Sequence, residues 1–372
     1  MLSPIPDWRP GMKVFLGLPW SMRALGGNEA IVAAYARYLS GQGVPVCVLC
    51  NERSDQSILA DLRKDKIELM ELKAGDIWIR DWAPLLCERN GKTVAVKFQY
   101  PDTYAYAPVT SNKAGTILAN RLGIELIESR LIWELGNFSS DGKHIIVTDQ
   151  VLNANGLRDA EELKEVLVRE LDFDPAIRIY SLDVDTLCGA LWSLCGHRFE
   201  QSICHIDGYM RFLDEKKVIC QVPDTGQAYL QLTHNAGKAD PKWLKQASQY
   251  LAVNTDLAAR IRQLADRLRS DDIQVFEINS PISPDDVDAL MAEADTLPDS
   301  GDYINYLRFG NQLFLPQYAG EAYAELNKQA LSKYKEAGMS EVIPVNEDFI
   351  NQLAQEGGVM NCASWVQFSA KY

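Results

Sequence analysis

The segment running from MKVFLGL (residues 12–18) through NEAIVAAYARYL (28–39) to VPVCVL (44–49) decides the fold class. The first and last runs are short and almost wholly apolar, the pattern of strands buried on both faces. Between them, Asn28 caps a stretch with apolar residues at helical spacing. The alternation continues downstream. Residues 58–64 read as helix, 67–72 and 93–98 as strands, 114–121 as helix and 124–128 as strand. Regular alternation of this kind predicts an α/β fold.

Beyond Gly136 the pattern persists. Residues 144–148 and 177–182 read as strands, and 159–170 as an amphipathic helix with Glu161 and Glu162 in its acidic first turn. Residues 210–213 and 217–222 form a strand pair around Asp214-Glu215-Lys216, followed by a helix at 255–269 and a strand at 273–278. A second strand pair is expected at 303–308 and 312–315, the last long helix at 321–337, and extended chain at 342–345 and 359–368. Residues 280–300, rich in proline and aspartate, read as a surface excursion. No Pro/Gly/Ser linker divides the chain, so residues 1–372 are expected to form a single domain whose units each donate a loop to one shared site.

With 372 residues and 47% hydrophobic content the chain can bury a large core. Its net charge of −14 argues against nucleic acid and anionic membrane as partners and favours cationic ligands. The eight cysteines (47, 50, 87, 188, 195, 204, 220 and 362) are scattered, which suits reduced thiols rather than a disulfide framework. The first residues lack the basic and apolar regions of a signal peptide, and no apolar run reaches bilayer length. A cytoplasmic location is therefore expected.

Several residues carry chemistry. Asp76 and Asp81 bracket Ile77-Trp78-Ile79-Arg80; alone they read as capping aspartates at a strand end, but a carboxylate beside tryptophan also suits a planar cation. Glu134, two residues before Gly136, reads as a turn glutamate, or as a partner that raises a histidine's pKa and fixes its tautomer. His205 and Asp207 are expected on one face of a strand, with His205 as proton carrier and Asp207 as cation anchor. Cys195, His197 and Cys204 raise a zinc site as an alternative, though no second paired-ligand motif accompanies them. Cys47 and Cys50 read as core strand. Cys362, after Gly357-Gly358, is a small buried hydrophobe or a nucleophile activated by nearby positive charge.

Taken together, GDIWIRDWAP (75–84), WELGNF (133–138), HIDGYMRF (205–212), DYINYLRFGNQLFLPQY (302–318) and GGVMNCASW (357–365) resemble the agmatine deiminase and bacterial-type peptidylarginine deiminase family of the guanidino-group modifying superfamily. The resemblance implies a five-bladed pseudo-symmetric propeller of ββαβ units, the pentein fold. It implies Cys362 as nucleophile, His205 as acid and base, Asp81 and Asp207 as guanidinium-binding carboxylates, and Glu134 as the group that orients the histidine. Trp78 and Asn305 are implied to line the substrate site. No metal or organic cofactor is implied. The implied activity is hydrolysis of a small guanidino compound through a covalent amidino-cysteine, with agmatine first, arginine or peptidyl-arginine next, and amidino transfer or a catalytically silent binding role as further alternatives. The chain departs from the family pattern at Asn361, Leu135 and Gly208, which leaves the exact substrate open. Oligomeric state is not legible, with a homodimer as the default expectation.

Overall fold

The computed structural model describes residues 1–20, 28–101, 108–187, 190, 205–226, 241–281 and 301–368. Within them the fold is mixed α/β, built on five separate sheets, none of which closes on itself among the described residues. Each sheet joins an antiparallel pair to a further strand, parallel to the pair's second member and reached through helix. One pairs Leu85–Arg89 with Lys92–Gln99 and, after the helix Pro108–Arg121, adds Glu125–Ile132. The next pairs Ser139–Ser140 with His144–Thr148 and adds Arg178–Leu182 after the helices Gln150–Ala154 and Ala160–Leu171. The third runs Met210–Asp214, Lys217–Asp224, the helix Pro241–Ser270 and Gln274–Pro281. A fourth runs Leu307–Phe309, Gln312–Pro316, the helix Ala324–Glu336 and Glu341–Val345.

The fifth sheet joins the two ends of the chain. Trp365–Phe368 lies antiparallel to Gly11–Gly17, which runs parallel to Val46–Cys50 after the helix Asn28–Gly41. Glu68–Glu71 follows the helix Gln56–Lys64 and completes it. The segment 12–49 is thus strand, helix, strand as its pattern predicts, and Cys47 and Cys50 are buried in its second strand. Contacts between residues near opposite ends of the sequence make this sheet, so no local signal could announce it.

Local chemistry explains the helix boundaries. Asp55 accepts from the backbone N–H of Ser57 and Ile58 and starts the helix Gln56–Lys64. Asp159 accepts from Glu162 N–H at 2.9 Å while Glu162 reaches back to the N–H of Arg158, so two otherwise unpaired amides at this helix start are satisfied. Asp172, left-handed at φ 60°, ends that helix.

Three buried clusters support the molecule. The largest centres on the strand Gly11–Gly17 and includes Trp78, Trp82, Tyr303, Tyr306, Phe314 and Trp365. A second gathers Ile206, Met210 and Phe212 against Ile261 and Leu264 of the long helix, and a third gathers Trp133, Leu135, Leu163 and Phe173. Each loop with candidate chemistry therefore has apolar residues sunk in a core, which fixes its polar side chains without a rigid backbone element beneath them.

Some expectations change. Residues 303–308 are not a strand throughout: only Leu307–Phe309 pairs, because Asp302 Oδ1 accepts from Ile304 and Asn305 N–H, both at 3.0 Å, and turns the chain first. Residues 359–368 also turn before the strand Trp365–Phe368 begins. The helix expected at 255–269 extends over Pro241–Ser270. Most of the 280–300 excursion lies outside the described residues. No described helix is long and apolar enough to cross a membrane.

Candidate active site

Asp81, Glu134, Asp207, Asn305 and Cys362 share one structural position. Each sits in the turn or short helical turn just before a strand that opens the antiparallel pair described above, each pair in a different sheet. Repetition of one supersecondary unit thus brings residues remote in sequence to equivalent places. A recess is lined by Trp78, Asp81, His205, Asp207, Asp302, Asn305, Gly357, Gly358 and Cys362, with about 330 Å³ of empty space counting its mouth.

Cys362 forms one wall. Asn305 donates its side-chain N–H to the sulfur at 3.0 Å, and its Oδ1 accepts the backbone N–H of Asn361 at 2.9 Å and of Cys362 at 3.2 Å. One amide thus fixes both the sulfur and the turn that carries it. The thiol in turn donates to Asp207 Oδ2 at 3.6 Å, and Asn361 Nδ2 donates to the same oxygen at 2.6 Å. Arg80 N–H donates to the Cys362 carbonyl at 3.1 Å and ties the Asp81 turn to this one.

The imidazole lines the same recess. His205 Nδ1 lies 3.7 Å from Asp81 Oδ1 and Nε2 lies 3.8 Å from Glu134 Oε1, too long for hydrogen bonds but close for charge. Nε2 is buried without a hydrogen-bond partner. His205 and Asp207 do not share a strand face: Ile206–Gly208 is a turn of 3-10 helix, and the strand starts at Met210. The tight turn still delivers both side chains to the recess, while Ile206 between them goes to the core.

The turn bearing Glu134 contributes backbone as well. Gly136 N–H donates to Asp81 Oδ1 at 3.1 Å, and a Cβ on Gly136 would stand 2.5 Å from His205 Nδ1. Only glycine lets backbone, ring and carboxylate approach so closely. Gly358 plays a matching part beside the sulfur, where an added Cβ would meet Trp78 at 2.7 Å and the Cys362 Cβ at 2.9 Å.

Asp76, bracketed with Asp81 in the sequence, does not reach the recess. Its carboxylate accepts from Trp78 N–H at 2.9 Å, Trp82 Nε1–H at 3.1 Å and Ser111 Oγ–H at 3.2 Å. It folds the loop that presents Trp78 and Asp81. Burial pushes its pKa to about 6 despite these donors.

Four carboxylates around a buried imidazole and thiol set the electrostatics. Burial opposes a charge on His205, but Asp81, Glu134 and Asp207 overcome it and push the imidazole up to about 10, so it is protonated at neutral pH. Burial, together with Asp207 and Glu134, pushes Asp81 up to about 7 although His205 draws it down. Burial and the surrounding Asp207, Asp81 and Asp302 push the Cys362 thiol well up, against the Asn305 donor. The thiol is therefore neutral at neutral pH.

Asp302 and Asn361 contribute to the site although their residue types alone assigned them no part. In the sequence Asp302 stands only as the first residue of the motif DYINYLRFGNQLFLPQY, and Asn361 only as a departure from the family pattern beside Cys362. Leu135 is buried and packs away from the recess, and Gly208 closes the 3-10 turn with its N–H on the His205 carbonyl. Cys47, Cys50, Cys87, Cys220 and Cys362 are free thiols. Cys188, Cys195, His197 and Cys204 lie outside the described residues. Among the described ones no group of three or more His, Cys, Asp and Glu could hold a metal ion.

Comparison with known proteins extends over most of the chain. The sequence pattern of the Porphyromonas-type peptidyl-arginine deiminase family matches residues 4–367. A protein of Legionella pneumophila (strain Paris), provisionally named an agmatine deiminase, is 21% identical over 336 residues, covering 87% of this chain and 84% of its own. An agmatine deiminase of C. jejuni has a similar structure, with a TM-score of 0.70 at 16% identity over 100% of this chain and 98% of that one. The corresponding values for an agmatine deiminase of Enterococcus faecalis are 0.68, 14%, 99% and 96%. At these identities the structural likeness speaks to the fold.

Proposed function

Because the chain belongs to the Porphyromonas-type peptidyl-arginine deiminase family, we propose that it is a C–N hydrolase that deiminates a small guanidino compound, agmatine first among candidates. The observation that carries this reading is the convergence of Cys362, His205, Asp81 and Asp207 on one recess. A thiol, a protonated imidazole and two buried carboxylates form a site for a flat cation that is attacked at its central carbon.

In this reading the guanidinium lies between Asp81 and Asp207 through charge-assisted hydrogen bonds, with Trp78 beside it. The arriving cation offsets the carboxylates that hold the thiol neutral, and the thiol proton passes to solvent. The sulfur attacks the guanidinium carbon, His205 gives its proton to one nitrogen, and the C–N bond breaks to release ammonia. A covalent amidino-cysteine remains. His205, now neutral, takes a proton from a water whose oxygen adds to the same carbon. The C–S bond breaks as the carbonyl forms, leaving a ureido product and the enzyme. Glu134 orients the ring and favours its charged form before ammonia leaves and again after water has added. Nothing in the sequence requires a metal or an organic cofactor for this chemistry.

The five repeated units also support an arrangement as five blades around this site, in one domain, since each delivers a residue from the same position. The test of function is direct. Purified protein incubated with agmatine, arginine and an arginine peptide is assayed for ammonia and ureido product. Turnover of one guanidine, abolished in Cys362→Ser, is the expected result, with a trapped amidino adduct on Cys362 seen by mass spectrometry. Release of neither product from any guanidine, or near-normal activity of the serine variant, would overturn the proposal.

A further inference from the structure

The recess holds one more acid than capture of a guanidinium uses. Asp302 lines it together with Trp78, Gly357 and Gly358, and it is only partly buried where Asp81, Asp207 and Cys362 are buried. This burial gradient places the two guanidinium carboxylates at the deep end and Asp302 toward solvent. No lysine or arginine is among the described lining residues. Apart from the protonated His205 at the deep end, the ionisable groups of the lining are the carboxylates Asp81, Asp207 and Asp302 and the Cys362 thiol.

Building on the proposed deiminase function, we infer that Asp302 reads a second positive charge on the substrate, so that the site selects a guanidinoalkylamine over a guanidine whose far end is a carboxylate. A dication meets Asp81 and Asp207 at one end and Asp302 at the other. Free arginine carries a carboxylate beside its α-ammonium, so its far end offers Asp302 no net positive charge and brings an anion that the carboxylate repels. Asp302 is also one of the charges that raise the Cys362 thiol, which puts its carboxylate within electrostatic range of the reacting sulfur.

Asp302 is held firmly enough to discriminate. Its backbone N–H donates to the Tyr318 hydroxyl at 2.8 Å, and its carbonyl accepts from the same hydroxyl at 3.0 Å. Its Oδ1 accepts from Ile304 and Asn305 N–H. The bland role is therefore to shape the turn that presents Asn305. Asp302→Asn separates the two roles, because an asparagine Oδ1 can accept the same bonds while the charge is gone.

The experiment compares agmatine, a dication, with n-butylguanidine, a monocation of similar length, in wild type and Asp302→Asn at fixed ionic strength. The agmatine to butylguanidine ratio of kcat/KM is expected to fall about tenfold in the variant, through KM, and the arginine to agmatine ratio to rise. Calorimetry of the same pairs in a Cys362→Ser background reads the same ratio as affinities and decides the question without turnover. An equal fall for agmatine and butylguanidine would assign Asp302 to the turn alone and overturn the inference. Turnover by wild type that favours arginine over agmatine would overturn it as well. Absence of turnover with a preserved agmatine preference in binding would refute the deiminase reading and leave the charge reading standing.

Discussion

Replacing Gly136 with alanine tests the site more sharply than removing any of its functional groups. The added Cβ would stand 2.5 Å from His205 Nδ1 and 2.7 Å from Asp81 Oδ1. Non-bonded heavy atoms prefer roughly 3.5 Å or more, so ring or carboxylate must retreat by about 1 Å. A displacement of that size in a reacting group costs on the order of 100-fold in rate, equivalent to about 2.7 kcal/mol of barrier. The atoms that yield are side-chain ends rather than backbone, and Gly136 does not sit at positive φ, so stability falls only by the ~1–3 kcal/mol typical of overpacking. The assay is kcat/KM for the best guanidine beside a thermal melt. Gly41→Ala, where an added Cβ meets nothing within 4 Å, serves as the control that keeps full activity. A Gly136→Ala protein with wild-type kcat/KM would show that imidazole and carboxylate do not crowd this backbone, and the site geometry would be wrong.

Other perturbations address single contacts. Asp207→Asn removes a buried charge and weakens capture of the cation, with an expected loss of roughly 150-fold in kcat/KM (about 3 kcal/mol), carried largely by KM in steady-state kinetics. Asn305→Ala deletes the donor to the Cys362 sulfur and the acceptor for two backbone N–H groups. It should lower kcat about tenfold to 100-fold with a smaller change in KM, and a pure KM effect would contradict the role assigned to it. His205 holds its proton more tightly folded, with a pKa up from 6.5 to about 10. Its stabilisation is thus complete below about pH 6.5 and lost by about pH 10. In urea unfolding, the stability gap between wild type and His205→Gln should narrow across that window. A gap that widens with rising pH would reverse the sign of the argument.

The apolar patterning made much of the fold legible. Buried strands such as 12–18 and 44–49 are short and apolar, while the helix between them shows a 3.6-residue period, and both signals are local. Caps at Asp55 and Asp159 are local too, because a carboxylate needs only an amide two or three residues on. Residue type also marks the chemistry: the motifs around Cys362, His205, Asp81, Asp207 and Glu134 single these residues out without showing where they meet.

Patterning could not separate Asp76 from Asp81, since both are acids beside tryptophan. The difference is that Trp82 from the same loop, with Tyr100 and Ser111 from further along the chain, closes around Asp76. Nor could it show Asp302 lining the recess, Asn361 gripping Asp207, or the 3-10 turn that replaces a strand at Ile206–Gly208. Short-range preferences tell a segment what shape to take and which side to bury. Which turns then face one another depends on pairing between distant strands, such as Trp365–Phe368 with Gly11–Gly17, and only the folded chain brings those partners together.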